Sequence, residues 1–446
     1  MVVVGIGKSG FAAARYLAQN GANVFATDAS SDSAVRQSAD GLRRFGVEIQ
    51  TGGHTRDFFE GATLVIKSPG VSKQNPVLIW AAEQNIPVIG EIELGFRFCS
   101  GTIIGITGSN GKTTTCHLLH SMLKHAALRS VLCGNVGRAF LDAHSEINSD
   151  TKVVLELSSF QLEDTDLFRP KVSVILNLSA NHLDRHGSMP QYVAAKSKIF
   201  ANQTAEDYLI LNYDDDATRV LANHTRARVI FFCKRELKEG IFKKNGCVIF
   251  RLDGQEHPMF ECSRMLLQGE HNLENAMAAA AAAFLVGSSP EAIRNTVENF
   301  KTLEHRLEPV GQIGGVRFVN DSKSTTVAST ARAIESIESS MVLVAGGRDK
   351  GAFFGEIESL LREKVRRLVL YGESRAPIRR ALVNLSDRIE EEEQFDAAVE
   401  KAFRLARAGE TLLLSPMAAS FDQFASFEER GWRFKNIFEN LKAEHS

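Results

Sequence analysis

Apolar residues recur along the chain in short runs that end in glycine, proline or polar residues, and segments with helical spacing follow most of these runs. Residues 1–28 read as a buried strand, a glycine-rich turn, a helix and a second strand that ends at Asp28. Apolar runs at Ile103–Ile106, Val153–Glu156 and 172–176 repeat the order of strand followed by helix. This alternation predicts an α/β fold with parallel sheets that are covered by helices.

Breaks in the pattern divide the chain into three expected domains, in agreement with a length of 446 residues. Residues 1–90 form a Rossmann-like domain, and residues 91–301 form a central α/β domain of the P-loop ATPase type. Residues 302–446 form a second Rossmann-like domain, with expected strands VRFVND, MVLVAGG, RRLVLYG and TLLLSP. The acidic run 390–393 is interpreted as a solvated loop or a helix start.

The composition excludes several classes of protein. Lys and Arg number 52 against 54 Asp and Glu, so no broad basic surface is available for nucleic acid. The six cysteines form no CxxC pair, which is typical of a reduced cytoplasmic protein. The longest apolar run, 276–286, is shorter than the ~20 residues that span a bilayer, and no basic leader precedes the first strand. We therefore expect no membrane insertion.

The segment TIIGITGSNGKTTTC carries the strongest chemical signal. A buried strand runs into a glycine-rich loop and then into a helix that begins near Lys112, which places backbone N–H groups around a polyphosphate. Lys112 supplies positive charge to the phosphates, and the Thr113 hydroxyl can coordinate Mg²⁺. The motif departs from GxxxxGK[ST], because Ile106 occupies the position of the first glycine. The predicted ATP-binding residues of this segment are Gly108, Ser109, Asn110, Gly111, Lys112, Thr113 and Thr114.

Polar residues at the ends of two later strands are expected at the same sheet edge as this loop. Glu156 closes the strand Val153–Glu156 and is a candidate carboxylate on the metal side of the nucleotide. His182 follows the next strand, although a histidine in such a position is more often structural. Farther along, Lys196 and Lys198 are by default solvated surface lysines.

Two further features have alternative interpretations. The glycines of GIGKSG, followed by a strand that ends at Asp28, are typical of a dinucleotide-binding βαβ unit. One interpretation is that this unit binds NAD, with Asp28 on the ribose. The others are that it binds another phosphate-bearing ligand, or that the glycines form only a structural turn. Asn272 and Asn275 share one face at the start of an alanine-rich helix, where they could contact a base. Capping of the helix is an equally good interpretation of Asn272 taken alone.

Taken together, the motifs resemble those of the Mur ligases, ATP-dependent amide-forming ligases of peptidoglycan precursor synthesis. The resemblance covers essentially the whole chain. It rests on TGSNGKTTT, GNVG, ELSSFQLE, NHLDRHGS, the AAK that ends at Lys196, HNLEN, EHR, NDSKST and GGRDKG. Within the family, the start of the chain, SPGV and the tail LSPMAASFDQFASFEERGWRF are similar to the member that adds D-glutamate to UDP-N-acetylmuramoyl-L-alanine.

The resemblance implies a role for each candidate residue. Two Mg²⁺ ions would be held by Thr113, Glu156, His182 and a carbamylated Lys196. The UDP-sugar would be bound by Lys8, Ser9, Asp28, Gly70 and Asn135. The adenine would be faced by Asn272 and Asn275, and the nucleotide would also be reached by Arg306 and Asp321. The D-glutamate would be bound by Thr325, Lys350, Ser420, Phe421 and Phe427. The catalytic residues would be Lys112, His182, Lys196, Arg306 and Lys323.

Some details of the amino-acid pocket differ from the family pattern. Ser324 and Thr326 replace the commoner Ala and Asn, and Met417 replaces a smaller residue. Thr325 and Ser420 also have a simpler interpretation as helix N-caps.

The implied reaction transfers the ATP γ-phosphoryl group to the alanyl carboxylate, and the D-glutamate amine then attacks the acyl phosphate through a tetrahedral intermediate. Lys112, Arg306 and Mg²⁺ would neutralise the phosphoryl group in transfer. Closure of the third domain would exclude water, and a monomer is expected. The alternatives are a related ligase such as a folylpolyglutamate synthase, an NTP-driven switch, and an NAD oxidoreductase.

Overall fold

The structure of the protein is a computed structural model, which describes residues 1–179, 183–267, 269–300, 304–337, 339–349 and 351–445. The chain forms two compact units, Met1–Phe300 and Lys301–Ser446. Both units have helices packed on sheets that are largely parallel, so the predicted α/β class is confirmed.

The first unit begins with a five-stranded parallel sheet in the order β3-β2-β1-β4-β5. Its strands are β1 (Val2–Val4), β2 (Phe25–Asp28), β3 (Glu48–Thr51), β4 (Val65–Lys67) and β5 (Val88–Gly90). Its helices are α1 (Lys8–Gln19), α2 (Ser33–Arg43), α3 (Pro76–Glu83) and α4 (Glu91–Phe98). A β-carbon at Gly10 would lie 1.8 Å from the carbonyl oxygen of Gly5. Only glycine therefore permits α1 to pack this closely on the turn after β1.

The rest of the first unit is built on a nine-stranded sheet in the order β14-β13-β12-β11-β10-β9-β6-β8-β7. The strands are β6 (Thr102–Thr107), β7 (Ser130–Gly134), β8 (Lys152–Glu156), β9 (Val172–Ile175), β10 (Tyr208–Asn212), β11 (Arg228–Cys233), β12 (Gly240–Lys244), β13 (Cys247–Leu252) and β14 (Gln255–Glu261). The helices are α5 (Lys112–His125), α6 (Ser159–Leu162), α7 (Leu183–His186), α8 (Met189–Ser197), α9 (Asp216–Arg219), α10 (Glu270–Leu285) and α11 (Pro290–Asn299). The pairs β12–β13 and β13–β14 are antiparallel, and the other pairs are parallel.

The register of this sheet brings functional candidates to one edge. Strand β6 lies between β8 and β9, with Ile106 opposite Glu156 and Thr107 opposite Ile175. Helix α10 packs with α5 in the core on one face of the sheet, and its alanines from Ala276 to Ala283 are all buried. Their small side chains permit close approach of the two helices.

A buried ion pair joins the N-terminal sheet to the central sheet within the first unit. The Lys67 Nζ, at the end of β4, lies 2.6 Å from a carboxylate oxygen of Asp164, which follows α6. Burial lowers the pKa of Lys67 and raises the pKa of Asp164, so desolvation outweighs the attraction between the two charges. Arg15 on α1 also pairs with Asp142 at 2.8 Å. These contacts fix the two sheets relative to each other.

The second unit contains a six-stranded sheet in the order β15-β16-β20-β17-β18-β19. Its strands are β15 (Glu308–Ile313), β16 (Val316–Asn320), β17 (Met341–Gly346), β18 (Val365–Tyr371), β19 (Ile389–Glu391) and β20 (Thr411–Met417). Its helices are α12 (Val327–Glu335), α13 (Glu358–Lys364), α14 (Arg375–Ala381), α15 (Phe395–Leu405) and α16 (Phe427–Glu444). The edge strand β15 is antiparallel to β16.

The prediction of a loop or helix start for the acidic run 390–393 is wrong in part. Glu390 and Glu391 belong to the edge strand β19, where Val369 and Leu370 of β18 pair with them. Acidic side chains on an edge strand oppose pairing with another sheet. Among the helices that the structure describes, none has the length and apolar character that a membrane span requires.

Candidate active site

The phosphate loop follows β6 and enters α5 at Gly111, the N-cap residue, which has a φ of 80°. A β-carbon at Gly111 would lie 2.2 Å from the Asn275 Oδ1, so both backbone conformation and space require glycine. The Lys112 Nζ donates to the carbonyl oxygens of Gly108 at 2.8 Å and Ser109 at 3.1 Å. The loop thus has the form of a backbone cradle with a basic side chain lying across it.

Neighbouring side chains hold this loop in place. The Ser109 Oγ donates to the carbonyl oxygen of Ser179 at 3.0 Å and shares a hydrogen bond of 2.9 Å with the Tyr192 hydroxyl. The Asn110 N–H donates to the Asn177 Oδ1 at 2.8 Å. The Ser109 N–H also donates to the carbonyl oxygen of Asn177 at 2.9 Å, so the backbone N–H groups of both loop residues have partners within the protein. Thr113 is partly exposed on the first turn of α5, and Thr114 is buried there.

Lys196 is buried at the end of α8, with only 2% of its surface exposed. Its Nζ donates to the Thr107 Oγ1 at 3.1 Å and to the carbonyl oxygen of Gly108 at 3.0 Å. Burial lowers the pKa of Lys196 to about 6, with a further contribution from Lys112, while Glu156 opposes the shift. The interpretation of Lys196 as a solvated lysine is therefore wrong. Lys198, by contrast, is partly buried and donates to the carbonyl oxygens of Glu163 and Thr165.

Glu156 lies at the end of β8 with 2% of its surface exposed. Its Oε1 accepts a hydrogen bond of 2.7 Å from the Asn135 side chain. Its Oε2 is buried and has no hydrogen-bond partner among the residues that the structure describes. An unpartnered buried carboxylate oxygen fits a Mg²⁺ ligand, because hard cations prefer oxygen donors. Within the described ranges no cluster of three His, Cys, Asp or Glu side chains forms a complete metal site.

Two predicted site residues, His182 and Lys350, lie outside the described residues. Their predicted roles in binding metal and D-glutamate therefore stay predictions.

Asn275 packs directly under the phosphate loop. Its Oδ1 accepts a hydrogen bond of 3.2 Å from the Thr115 hydroxyl, and its Nδ2 lies 3.4 Å from the Asn272 Oδ1. The N-cap of α10 is Gly269, so the interpretation of Asn272 as the cap is wrong. The two asparagines form one connected pair beside the loop, as their spacing predicts.

A cavity of about 290 Å³ joins the N-terminal glycine turn to the phosphate loop within the first unit. Five of the predicted site residues line it, namely Lys8, Ser9, Gly70, Lys112 and Asn135. The Lys8 Nζ lies 3.4 Å from the carbonyl oxygen of Gly134, which also lines the cavity. The structure thus brings together residues that are more than 120 positions apart in sequence.

Five lining residues are absent from the predicted site residues, namely Pro69, Gly134, Ser158, Phe160 and Gln161. The last three lie at the start of α6, which has a capping box: the Ser158 hydroxyl accepts from the Gln161 N–H, and the Gln161 side chain accepts from the Ser158 N–H. The pattern Ser-x-x-Gln directly after a strand was the sequence signal that could have located this helix start.

Asp28 is not among the residues that line this cavity, and its predicted contact with the UDP-sugar stays a prediction. Its carboxylate accepts hydrogen bonds from the Ile6 N–H at 2.8 Å and the Ser30 N–H at 2.9 Å. It therefore stabilises the glycine turn after β1 in the structure.

Arg306 and Asp321 lie in the second unit. The Asp321 carboxylate is buried and accepts from the Ser415 hydroxyl at 2.8 Å and from the Leu307 N–H at 3.2 Å. Burial raises the pKa of Asp321 to about 6, although its hydrogen bonds and the charge of Arg306 oppose the shift. The prediction that both residues reach the nucleotide stays open.

Among the described residues of the predicted amino-acid pocket, Thr325 follows β16, Ser420 and Phe421 follow β20, and Phe427 is the first residue of α16. The Lys323 Nζ lies 4.0 Å from the centre of the Phe427 ring, and the Ser322 hydroxyl donates to the carbonyl oxygen of Phe427 at 2.8 Å. Ser420 is buried, and Phe421 is exposed beside it. The role of these residues in binding D-glutamate stays a prediction.

The helix N-caps of this region are other residues. Thr326 caps α12 and Ser426 caps α16 through their side chains. The alternative interpretation of Thr325 and Ser420 as N-caps is therefore wrong. Met417, one of the departures from the family pattern, has a φ of 61° and is buried at the end of β20.

A phosphate loop, a buried lysine and a carboxylate at one sheet edge define a nucleotide-dependent enzyme, and comparisons with known proteins identify its class. The Mur ligase MurD-like N-terminal domain matches residues 1–90, the Mur ligase middle domain matches 106–283, and the Mur ligase glutamate ligase domain matches 305–417. The chain belongs to the Mur ligase family, whose members are ATP-dependent enzymes that form amide bonds.

Two ligases from other organisms match nearly the full length of the chain. A UDP-N-acetylmuramoylalanine--D-glutamate ligase from Caldanaerobacter subterraneus subsp. tengcongensis is 39% identical over 99% of this chain and 98% of its own length. A ligase of the same name from Acidobacterium capsulatum is 41% identical, over 98% of this chain and 95% of its own length.

Solved structures share the fold at lower identity. UDP-N-acetylmuramate-alanine ligase MurC from Thermotoga maritima has a TM-score of 0.60 and 19% identity, with 99% of each chain covered. The MurF ligase from Thermotoga maritima in complex with ADP has a TM-score of 0.59 and 16% identity, with 95% of this chain and 96% of that chain covered. Both have the three-domain Mur ligase fold, which confirms the predicted fold class.

Proposed function

We propose that this enzyme adds D-glutamate to UDP-N-acetylmuramoyl-L-alanine, with ATP as the energy source and an acyl phosphate as the intermediate. The observation that carries the proposal is the cavity shared by Lys8, Gly70 and Lys112, because it joins a candidate sugar-nucleotide turn to a phosphate loop. The names of the relatives that match nearly the full chain supply the two substrates.

The first step requires charge neutralisation at the phosphate loop. The γ-phosphorus–oxygen bond to ADP breaks as an alanyl carboxylate oxygen bonds to phosphorus, and Lys112 stabilises the negative charge on the phosphoryl oxygens. In the second step the D-glutamate amine bonds to the acyl carbon, phosphate leaves with the bonding electron pair, and the amine releases a proton to solvent. Arg306 and Asp321 are proposed to contact the nucleotide from the C-terminal domain.

Lys196 is proposed to carry a carbamate. Its amine nitrogen bonds to the carbon of CO₂ and loses a proton, which replaces an ammonium with a carboxylate-like group. The lowered pKa supports this proposal, because only the neutral amine attacks CO₂. Glu156, Thr113, His182 and the carbamate would then hold two Mg²⁺ ions. When bound, Mg²⁺ neutralises phosphate charge.

The acceptor pocket is proposed to consist of Lys350, Thr325, Ser420, Phe421 and Phe427, with Lys323 beside it. D-Glutamate has two carboxylates and one reacting amine, so its pocket needs fixed positive charge and directed donors. The location of Ser420 and Thr325 on turns at a carboxyl sheet edge supports this role, since open parallel sheets bind ligands there.

We also propose three domains, 1–90 for the UDP-sugar, 91–301 for ATP and 302–446 for D-glutamate. The family matches fall within these bounds, and the compact units divide between residues 300 and 301. The enzyme is further proposed to act as a monomer in the cytoplasm. All six cysteines are free thiols, in agreement with a reducing compartment.

A coupled assay of ADP release tests the function. Purified protein is supplied with ATP, Mg²⁺, UDP-N-acetylmuramoyl-L-alanine and a panel of D- and L-amino acids. We expect ADP release that depends on both the sugar nucleotide and D-glutamate. In this assay Lys350→Ala should raise KM for D-glutamate and leave KM for ATP nearly unchanged. A better rate with L-alanine or a diamino acid would refute the proposed acceptor.

A further inference from the structure

Arg430, on α16 of the second unit, is fully buried, with 0% of its surface exposed. Its Nε donates to the Ser322 Oγ at 2.9 Å, and its Nη2 donates to the carbonyl oxygen of Ser322 at 2.9 Å. Its Nη1 donates to the Tyr371 hydroxyl at 3.0 Å and to the carbonyl oxygen of Ala418 at 3.3 Å. These acceptors are hydroxyl and carbonyl oxygens, so none of them carries a charge opposite to that of the guanidinium.

The partners of Arg430 lie at the ends of adjacent parallel strands. Ser322 follows β16, Ala418 follows β20, and Tyr371 ends β18. Gly347, which follows β17, is close enough that a β-carbon there would lie 3.2 Å from the Arg430 Nη1. The guanidinium therefore donates to residues at or just after the carboxyl ends of β16, β20 and β18, and it lies close to the residue after β17.

The turns that Arg430 holds are those of the proposed acceptor pocket. Ser322 is directly followed by Lys323, and its hydroxyl also donates to the carbonyl oxygen of Phe427. Ala418 is two residues from Ser420, and backbone hydrogen bonds between Arg348 and Ala419, of 2.7 and 3.1 Å, join this turn to the turn after β17. One side chain thus connects the turns that carry Lys323, Ser420 and Phe427.

A buried charge with only neutral partners is costly and acts over a long range. Its field is weakly screened by solvent, so it raises the electrostatic potential of the nearby sheet edge. Two unit charges about 10 Å apart, at an effective dielectric constant of about 20, change an affinity about tenfold. Neutral hydrogen-bonding residues could have tied the turns together without this field.

We propose that Arg430 is a positioning residue of the acceptor site, and that its buried charge makes this site favour an amino acid with two carboxylates. This inference deepens the proposed function and rests on it. Arg430 orients the turns by hydrogen bonds and contributes the electric field of its charge. The acceptor itself is contacted by residues on those turns.

The test compares Arg430→Gln, which removes the charge, with Arg430→Lys, which keeps it. ADP release is measured against D-glutamate, and D-glutamine, which lacks one net negative charge, is used as a competitive inhibitor. Arg430→Gln should raise KM for D-glutamate about tenfold or more, and it should raise the ratio of this KM to the Ki for D-glutamine about tenfold. KM for ATP should stay within about twofold, and Arg430→Lys should keep the ratio within about twofold of the wild-type value.

Arg366→Gln is the matched control. Arg366 lies in the same sheet at the start of β18, where it pairs with Glu410 at 2.6 Å. Its loss should lower the melting temperature without a change in KM for D-glutamate.

The outcomes separate the inference from the proposed function. If the wild-type protein releases no ADP with D-glutamate, both are overturned. If the wild type is active and Arg430→Gln melts cooperatively with a wild-type KM for D-glutamate, the inference alone is overturned. The inference would also be overturned if Arg430→Lys changed the ratio of KM for D-glutamate to Ki for D-glutamine tenfold. The same holds if Arg366→Gln raised KM for D-glutamate as much as Arg430→Gln does. Arg430→Lys thus decides the matter even if Arg430→Gln does not fold.

Discussion

The side-chain amines of Lys112 and Lys196 donate hydrogen bonds to the same acceptor, the carbonyl oxygen of Gly108, at 2.8 and 3.0 Å. Burial desolvates the Lys196 amine, and the nearby charge of Lys112 further disfavours its ammonium form. The pKa of Lys196 accordingly falls to about 6, so this amine is mostly neutral at neutral pH. The pair therefore combines a partly exposed lysine with a buried amine whose pKa is lowered, as the proposed carbamate requires.

Lys196→Ala should be nearly inactive, because the variant cannot form the proposed carbamate, which would help to hold Mg²⁺. Acetate or another short carboxylate at high concentration should restore part of the rate. The measurement is ADP release with and without the carboxylate. Lys198→Ala is the control and should keep most of the activity, since its Nζ bonds to the backbone at Glu163 and Thr165.

The same hypothesis has a pH dependence. Carbamate formation needs the neutral amine, so at a fixed CO₂ concentration the carbamylated fraction should fall as the pH decreases through about 6. Dependence of the wild-type rate on added CO₂ should thus be stronger at low pH. Near-full activity of Lys196→Ala without any rescue would disprove the carbamate.

Lys112 and Asn272 should affect different kinetic constants. Lys112→Ala removes charge next to the phosphoryl group in transfer, so kcat should fall by orders of magnitude. Asn272→Ala removes only a carboxamide beside the loop, so the main effect should be a higher KM for ATP. Steady-state kinetics with varied ATP separate the two effects. The opposite pattern would mean that the assigned roles are exchanged.

The adjacent residues Thr325 and Thr326 form a matched pair. Thr326 is the N-cap of α12, and its hydroxyl accepts from the Ser329 N–H, so Thr326→Ala should cost about 1 kcal/mol of stability. Thr325→Ala should instead raise KM for D-glutamate with little change in stability. Denaturant unfolding and acceptor kinetics on both variants provide the comparison. Equal effects of the two substitutions on KM would contradict a pocket role for Thr325.

Glu91 should make stability depend on pH. It is buried at the start of α4, its Oε1 accepts from the Leu141 N–H, and its Oε2 has no partner among the described residues. Burial raises the pKa of Glu91 from 4.5 to about 7, so the folded state retains a proton that the unfolded chain loses between those pH values. Its contribution to stability is therefore complete below about pH 4.5 and lost as the pH rises through about 7.

Glu91→Gln should remove this pH dependence. Relative to wild type, the variant should gain about 3 kcal/mol of stability between pH 4.5 and pH 8. Urea unfolding at several pH values measures the difference, and Glu60→Gln at an exposed position is the control. A constant difference across this pH range would show that Glu91 has an ordinary pKa in the folded protein.

The sequence predicted those parts of the fold that local pattern determines. The strands next to glycine loops, such as β6 before Gly108, have uninterrupted apolar residues, and their helices start at recognisable positions. Strands β3, β7 and β10–β14 were not predicted, and the edge strands β15 and β19 were missed as well. Strand β15 contains Pro309 and Gly311, and β19 is acidic, so neither has strand-like composition. Their pairing depends on the neighbouring strand, which a local pattern does not include.

The sequence also did not predict which charged side chains are buried. Lys67, Lys196 and Arg430 are each nearly inaccessible, although lysine and arginine are usually solvated. Their positions are determined by groups that are distant in sequence, such as Asp164 for Lys67 and Tyr371 for Arg430. Local spacing cannot reveal such partners.

The cavity that contains both Lys8 and Lys112 has a consequence for inhibitor design. Both cationic side chains belong to one compact unit, and the Lys67–Asp164 pair lies between the two sheets of that unit. A single short compound with an anionic group at each end would therefore find its two anchoring points already at a fixed separation. Binding of the first group would place the second at a high effective concentration near its own lysine. Affinity would then exceed that of either fragment, without any requirement for movement of the C-terminal unit.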